Sequence, residues 1–455
     1  MSPERQNNKR EGVSTMKILI KDIMTILPDQ REKYVVRECN VYVEDEIIKA
    51  VIECDKKKDT RAPFSDKTAD YVISGKDRLL MPGIINSHTH IYMNFMRCCG
   101  DDLAFNDWLF NTIFPIEDKM TDEDAYWGTK LGLVEMIESG TTGFIDMNLN
   151  MNSCCEAISE AGLRGIVSRG LVGSGPDDEG AIKRIKETME AREKYLDNDL
   201  IEICMGPHAP YTCEEACMRY IADLAMEYNM KVNIHLSESR DEIKNIKKKY
   251  GVSPIALAER AGLFKNRTIA AHCVHLTKED LDILAENSVT VASNPVSNMK
   301  LGNGLAPVTE MLKKGVNVAL GTDGAASNNT LNMFHELSVM TLIHKGATES
   351  AQCISAKEGL RMITMAGAKA MGKEYEIGSI EAGKKADLVI INTNTASFMP
   401  RNDYISALAY SCNGSEVETV IVNGKILMEN RELKTLDKEK IFFENEKIMN
   451  RIVKK

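Results

Sequence analysis

The chain has 455 residues, 43% hydrophobic and 27% charged, the composition of an ordinary soluble globular protein and too long for one typical core of about one to two hundred residues. A net charge of −10 argues against a nucleic-acid partner held through a broad basic surface, and no apolar stretch reaches the length of a membrane span. Twelve cysteines without a Cys-x-x-Cys or zinc-knuckle spacing read as the reduced thiols of a cytoplasmic protein.

Residues 1–15 are polar and lack the apolar centre of a secretory signal, so they are expected to be a disordered extension, with Met16 as an alternative start. Strand patterns follow at Lys17–Leu27, Val35–Glu44, Ile47–Glu53 and Tyr71–Met81. From Gly83 to about Lys385, short apolar runs alternate with amphipathic stretches. The runs are Gly83–His88, Thr142–Met147, Gly165–Arg169, Ile201–Met205, Val232–His235, Thr268–His272, Val289–Ser293 and Val316–Thr322. Helical spacing lies between most of them, as at Ala125–Ser139, Ala181–Tyr195 and Cys213–Tyr228. Strand-helix alternation predicts parallel βα units, and eight of them predict a (β/α)8 barrel of the TIM type. Strands return at Ala386–Asn392 and Val417–Leu427, and Asp437–Ile452 has helical spacing. The expected organisation is a small β-sandwich domain from both chain ends, 16–81 and 386–430. It flanks a barrel at 82–385 and precedes a helical segment at 431–455.

Four of these fragments carry metal-ligand chemistry. His88 and His90 stand in Ser-His-Thr-His, His235 in Asn-Ile-His-Leu-Ser-Glu, and Asp323 in Gly-Thr-Asp-Gly. A His-x-His pair on a strand puts both imidazoles on one face, because side chains alternate with period two. Asp-Gly alone reads as a turn. Here the aspartate ends the eighth run, as the histidines end the first and fifth, and those ends form the mouth of a parallel barrel. Three neutral nitrogens and one carboxylate suit zinc, with Fe2+ or another divalent ion as alternatives. Glu238, three residues after His235, is placed to shuttle a proton beside the metal, and His272, ending the sixth run, to polarise or stabilise charge. Cys273, beside His272, faces the other side of the strand and is not expected to be a ligand.

The ordered set His-x-His, Gly-Pro-His, His-Leu-x-Glu, Ala-His-Cys-Val-His and Gly-Thr-Asp-Gly-Ala-Ala-Ser-Asn-Asn resembles the amidohydrolase superfamily. Within it the chain resembles the 5-methylthioadenosine/S-adenosylhomocysteine deaminases, from Met16 to about Asn423. Narrower stretches carry this second resemblance: Asp107-Trp-Leu-Phe, Pro115-Ile-Glu-Asp118, Ser168-Arg-Gly-Leu171 and Ser297-Asn-Met-Lys-Leu-Gly-Asn303. The resemblance implies Glu117 as the acceptor for the ribose hydroxyls, and Arg169 and His208 as further substrate contacts, with Glu238 and Asp323 also touching the substrate. Trp108 reads equally as a cavity wall or a packed core residue. Binuclear relatives put a bridging modified lysine at the His208 position, so one Zn2+ per subunit is expected. Such proteins often carry a second arginine about a dozen residues beyond Arg169; Ala181 stands there, with Lys183 and Arg184 on the next turn.

The implied activity is zinc-dependent hydrolytic deamination of 5-substituted adenosines: 5-methylthioadenosine, S-adenosylhomocysteine, 5-deoxyadenosine or adenosine. Catalysis is assigned to Glu238, His272 and Asp323, and the partner is a small-molecule nucleoside. No nucleic acid or membrane is expected, and a homo-oligomer is allowed. The alternative is another amidohydrolase acting on guanine, a pterin or a triazine, and the remote one a non-catalytic barrel scaffold. With Ala181 in place of arginine, neutral 5-substituents are expected to match or outrun S-adenosylhomocysteine.

Overall fold

The structure is a computed structural model that describes residues 15–29, 34–54 and 62–453. Apart from Thr15, the expected N-terminal extension lies outside the described residues.

All eight predicted barrel strands form: β1 (Ile84–Thr89), β2 (Thr141–Asn148), β3 (Arg164–Leu171), β4 (Ile201–Pro207), β5 (Val232–Leu236), β6 (Thr268–His272), β7 (Thr290–Ser293) and β8 (Asn317–Leu320). They pair in parallel in chain order, β1 beside β2 through to β8. Nearly every strand position is buried, as in parallel strands covered on both faces. One interior cluster takes Ile85, Ile145, Ile166, Cys204, Ile269, Ala292 and Ala319 from seven of the strands. A packed barrel interior leaves chemistry to the strand ends. The predicted helices are present at Asp122–Glu138, Glu179–Lys194 and Glu215–Glu227. Thr121 starts the first with a capping box through Asp124, and Asp178 caps the second by accepting from Ala181 N.

The two chain ends meet in a separate nine-stranded sheet. Arg78–Pro82, just before the barrel, pairs antiparallel with Leu388–Asn392, just after it. Residues from both parts, among them Ile20, Val41, Leu80, Leu388 and Ile421, share one buried cluster. A buried ion pair ties this sheet to the barrel: Arg164 on β3 donates from Nε to Asp387 Oδ2 at 2.9 Å.

Two expected single strands are each two. Tyr71–Met81 is Tyr71–Ser74 and Arg78–Pro82, split by a turn in which Gly75 approaches Ile23 too closely for a Cβ and Asp77 takes φ +60°. Val417–Leu427 is a hairpin, Val417–Val422 with Lys425–Glu429, because Asn423 and Gly424 adopt φ +51° and +74°. Asn-Gly favours that left-handed pair, and the apolar residues around it masked the turn. The C-terminal helix runs Lys438–Ile448 and ends in a widened turn, Met449–Val453.

Candidate metal centre and substrate cavity

The predicted ligands converge at the strand ends. His90 Nε2 and His235 Nε2 are 3.1 Å apart, and Asp323 Oδ1 lies 3.4 Å from His90 Nε2 and 3.6 Å from His88 Nε2. The second nitrogen of two rings is anchored: His90 Nδ1 lies 2.8 Å from the Met147 carbonyl, and His235 Nδ1 lies 2.7 Å from the His208 carbonyl. Each Nδ1–H donates to its carbonyl, so both Nε2 atoms face one another with lone pairs. His88 is fully buried, and neither of its nitrogens has a hydrogen-bond partner. Buried, unpaired acceptors crowded this closely are the donor set that a divalent metal would satisfy. Burial lowers the His88 pKa to about 4 and holds His235 well below its usual value, which keeps both rings neutral. Burial disfavours the charged Asp323, but the His88, His272 and His90 rings around it outweigh that cost, and the carboxyl is held well below the usual range.

His272 joins His88 and Asp323 in a second group of close donors. Its Nδ1 meets Asn298 Oδ1 at 2.8 Å, and its Nε2 is 3.8 Å from Glu238 Oε2. His272 and Asp323 sit at φ +71° and +63°, strained values for non-glycine residues and frequent at functional sites. Glu238 is 4% exposed; burial, and then the charge of Asp323, raise its pKa well above the usual value, which favours its protonated form. Cys273 is buried and lies outside both donor groups.

A cavity of about 690 Å³ opens over these groups and contains Glu117, Arg169, His208, Glu238, His272 and Asp323 in its wall. It brings together every predicted substrate contact. Burial raises the Glu117 pKa to about 7 against the opposing hydrogen bond from Tyr92, whose hydroxyl donates to Glu117 Oε1 at 2.5 Å. His208 is held by Thr212, with Nδ1 2.7 Å from the hydroxyl, and burial lowers its pKa to about 3. Trp108 does both things the sequence allowed: it lines the cavity and donates from Nε1 to the Ala326 carbonyl at 3.2 Å.

Arg169 donates from Nε to Glu187 Oε2 at 3.1 Å, and Arg184 lines the cavity beside it. Burial and the charge of Arg169 both lower the Arg184 pKa, so the two guanidinium groups face a common space. Ala181 is 1% exposed, packs against Gly173 and is not part of the cavity wall.

Several contributors were not singled out by sequence. Tyr92 follows His90 by two residues but reads as an ordinary aromatic. Ser239 to Glu242 has the Ser-x-x-Glu spacing of a helix start. Its glutamate instead turns back to accept from Ser237 N at 3.0 Å and Glu238 N at 2.7 Å.

With this geometry in view, the comparisons with known proteins are specific. The amidohydrolase family model matches residues 79–427. The 5-methylthioadenosine/S-adenosylhomocysteine deaminase of Caldanaerobacter subterraneus subsp. tengcongensis is 44% identical over 96% of this chain and 99% of that protein. The protein of the same name from Moorella thermoacetica is 46% identical over 84% of this chain and 89% of its own. A solved adenosine deaminase from Xanthomonas campestris with bound zinc superimposes with a TM-score of 0.91 at 31% identity, covering 97% of this chain and 99% of that one. The chain belongs to the amidohydrolase family and, within it, to the family of relatives named 5-methylthioadenosine/S-adenosylhomocysteine deaminases. It is a hydrolase acting on carbon–nitrogen bonds. Among the described residues no helix is long and apolar enough to cross a membrane.

Proposed function

We propose that the protein is a cytoplasmic enzyme that hydrolytically deaminates 5-substituted adenosines at C6, with one Zn2+ held by His88, His90, His235 and Asp323. The observation that carries this reading is one cavity whose wall joins His90, His235 and Asp323 with the buried Glu238 and with Glu117. When bound, the ion supplies Lewis acidity that lowers the pKa of a coordinated water.

The protein groups then divide the proton transfers. Asp323 accepts a proton from the water that adds to C6, and Glu238 gives its proton to ring N1. His272, anchored through Asn298, stabilises the oxygen added at C6. Asp323 passes its proton to the amino group, the C6–N bond breaks and ammonia leaves. Glu238 recovers a proton from the new hydroxyl, leaving the inosine analogue.

Glu117, oriented by Tyr92, accepts the ribose hydroxyls, which favours a nucleoside over a free guanine, pterin or triazine. Arg169 and Arg184 support an anionic 5-substituent: both guanidiniums line the cavity, and only Arg169 is ion-paired with Glu187 at 3.1 Å. This revises the expectation drawn from Ala181. S-adenosylhomocysteine, which ends in a carboxylate, is the favoured substrate, with 5-methylthioadenosine also accepted. Ammonia release by the zinc-loaded protein across a panel of adenosine derivatives, adenine, guanine and a triazine tests the assignment. Faster turnover of any free base than of every nucleoside overturns it.

A further inference from the structure

The segment that follows β7 supplies none of the predicted metal ligands, yet it reaches all three reactive side chains. Ser297 donates from Oγ to Asp323 Oδ2 at 2.7 Å, Asn298 meets His272 Nδ1 at 2.8 Å, and Asn303 donates from Nδ2 to Glu238 Oε1 at 3.0 Å. The three side chains are buried, at 0%, 1% and 7% exposure. Asn303 is the most constrained. Its main-chain N–H returns to the Asn298 carbonyl at 2.8 Å, and it stands between Gly302 at φ +69° and Gly304 at φ +111°. The second value belongs to glycine, so the loop has given up side chains on both flanks to present one amide.

The chemistry of that amide is one-directional. A carboxamide NH2 donates only, so the oxygen it meets accepts and cannot also direct a proton along that line. The carbonyl oxygen of a carboxylic acid is its better acceptor, so this donor favours a Glu238 proton on Oε2, the oxygen 3.8 Å from His272 Nε2. Glu242 fixes the main chain by accepting from the Ser237 and Glu238 N–H groups, not from the Glu238 carboxyl group.

We infer that Asn303 is a positioning residue that selects which oxygen of Glu238 carries the transferable proton, by occupying the other. The role rests on the reading of Glu238 as the proton donor. Without the amide the carboxyl group can rotate, and its proton is shared between a productive and an unproductive oxygen. The substrate still binds, because Asn303 is outside the cavity wall.

A double-mutant cycle separates this role from a structural one. Steady-state deamination of 5-methylthioadenosine is measured for wild type, Asn303→Ala, Asn303→Asp, Glu238→Gln and the Asn303→Ala/Glu238→Gln double variant, with thermal melting of each. Asn303→Ala is expected to lower kcat about 10- to 100-fold, part of what a general acid contributes, with KM within about threefold. Asn303→Asp, nearly isosteric but without the donor, is expected to lose at least as much, and it stands in if the alanine variant does not fold. On the Glu238→Gln background, Asn303→Ala is expected to cost less than about threefold, because the proton it positions is gone. Equal losses on both backgrounds, or kcat of Asn303→Asp within about twofold of wild type, overturn the inference. Wild-type kcat in Glu238→Gln alone overturns the functional reading of Glu238 and the role of Asn303 with it, and the single variant reveals that case separately.

Discussion

The main-chain N–H of Asp323 donates to the carbonyl of His88 at 2.9 Å, and this bond joins the end of the last barrel strand to the first at the candidate metal centre. Below it, Asn86 grips Thr322 twice, from Nδ2 to the hydroxyl at 2.7 Å and through Oδ1 to the main-chain N–H at 3.0 Å. The seam that closes the barrel thus also holds two of the predicted ligands, His88 and Asp323. Gly321 permits it: a Cβ there would lie 2.6 Å from His88 N and 2.6 Å from Asn294 Oδ1. Gly321→Ala should destabilise the fold by about 1–3 kcal/mol, the usual cost of overpacking, and weaken metal binding in parallel. Denaturant unfolding and metal titration check this; wild-type values for both would show that the seam tolerates the methyl group.

His235→Ala removes one donor whose ring is anchored on the His208 carbonyl. Activity should fall by orders of magnitude and the bound metal should drop, while the circular dichroism spectrum is kept, since the barrel is held by its packed interior. Elemental analysis showing a full complement of metal with normal turnover refutes the ligand assignment.

Glu117 and Tyr92 make a second test. If Glu117 accepts the ribose hydroxyls, 2-deoxy and 3-deoxy substrates should be poor for the wild type. Glu117→Ala should lose most of that discrimination, and Tyr92→Phe, which removes the orienting hydroxyl, part of it. Each lost hydrogen bond to a charged group is worth about 1.5–3 kcal/mol, or roughly 10- to 100-fold in kcat/KM. A wild type that ignores the deoxy substitutions leaves Glu117 without this role.

Arg184→Ala should lower kcat/KM for S-adenosylhomocysteine by about 10- to 100-fold, the worth of one charge-assisted contact, and leave 5-methylthioadenosine within about threefold. Equal losses on both substrates would mean that Arg184 shapes the cavity rather than reading the carboxylate.

Glu336, fully buried beneath Asn328, shows how the centre responds to pH. Burial raises its pKa from the ordinary 4.5 to about 8, against hydrogen bonds from Asn328 and the Val296 N–H. The folded protein then keeps a proton that the unfolded chain releases. This contribution to stability is fully present below about pH 4.5 and is lost as pH rises towards 8. Glu336→Gln cannot titrate, so its melting temperature relative to wild type should rise between about pH 5 and pH 8. A constant difference across that range would mean that Glu336 does not exchange a proton on unfolding.

Much of this was legible in the sequence because it is encoded by local periodicity. Eight apolar runs separated by amphipathic stretches predict a parallel barrel, and the position of a histidine or aspartate at the end of a run predicts which rim it occupies. His88, His90, His235, Asp323, Glu238 and His272 were therefore readable one strand at a time, and the family resemblance added Glu117, Arg169 and His208. Turns hidden inside apolar stretches were less so: Asn423-Gly424 passed as strand because its flanks are β-branched on both sides.

What only the tertiary structure decided are the pairings across long separations. Tyr92 meets Glu117, Asn303 meets Glu238, and Arg184 rather than residue 181 turns into the cavity beside Arg169. A one-residue change of phase on a helix moves a side chain by about 100°, so whether a guanidinium reaches the ligand or the solvent follows from how that helix is rotated against the barrel. Composition and spacing specify that a helix forms and where it is capped. Its rotation is set by packing, here with the small Ala181 against Gly173, and that is why the sequence could offer Lys183 and Arg184 without deciding which of them reaches the cavity.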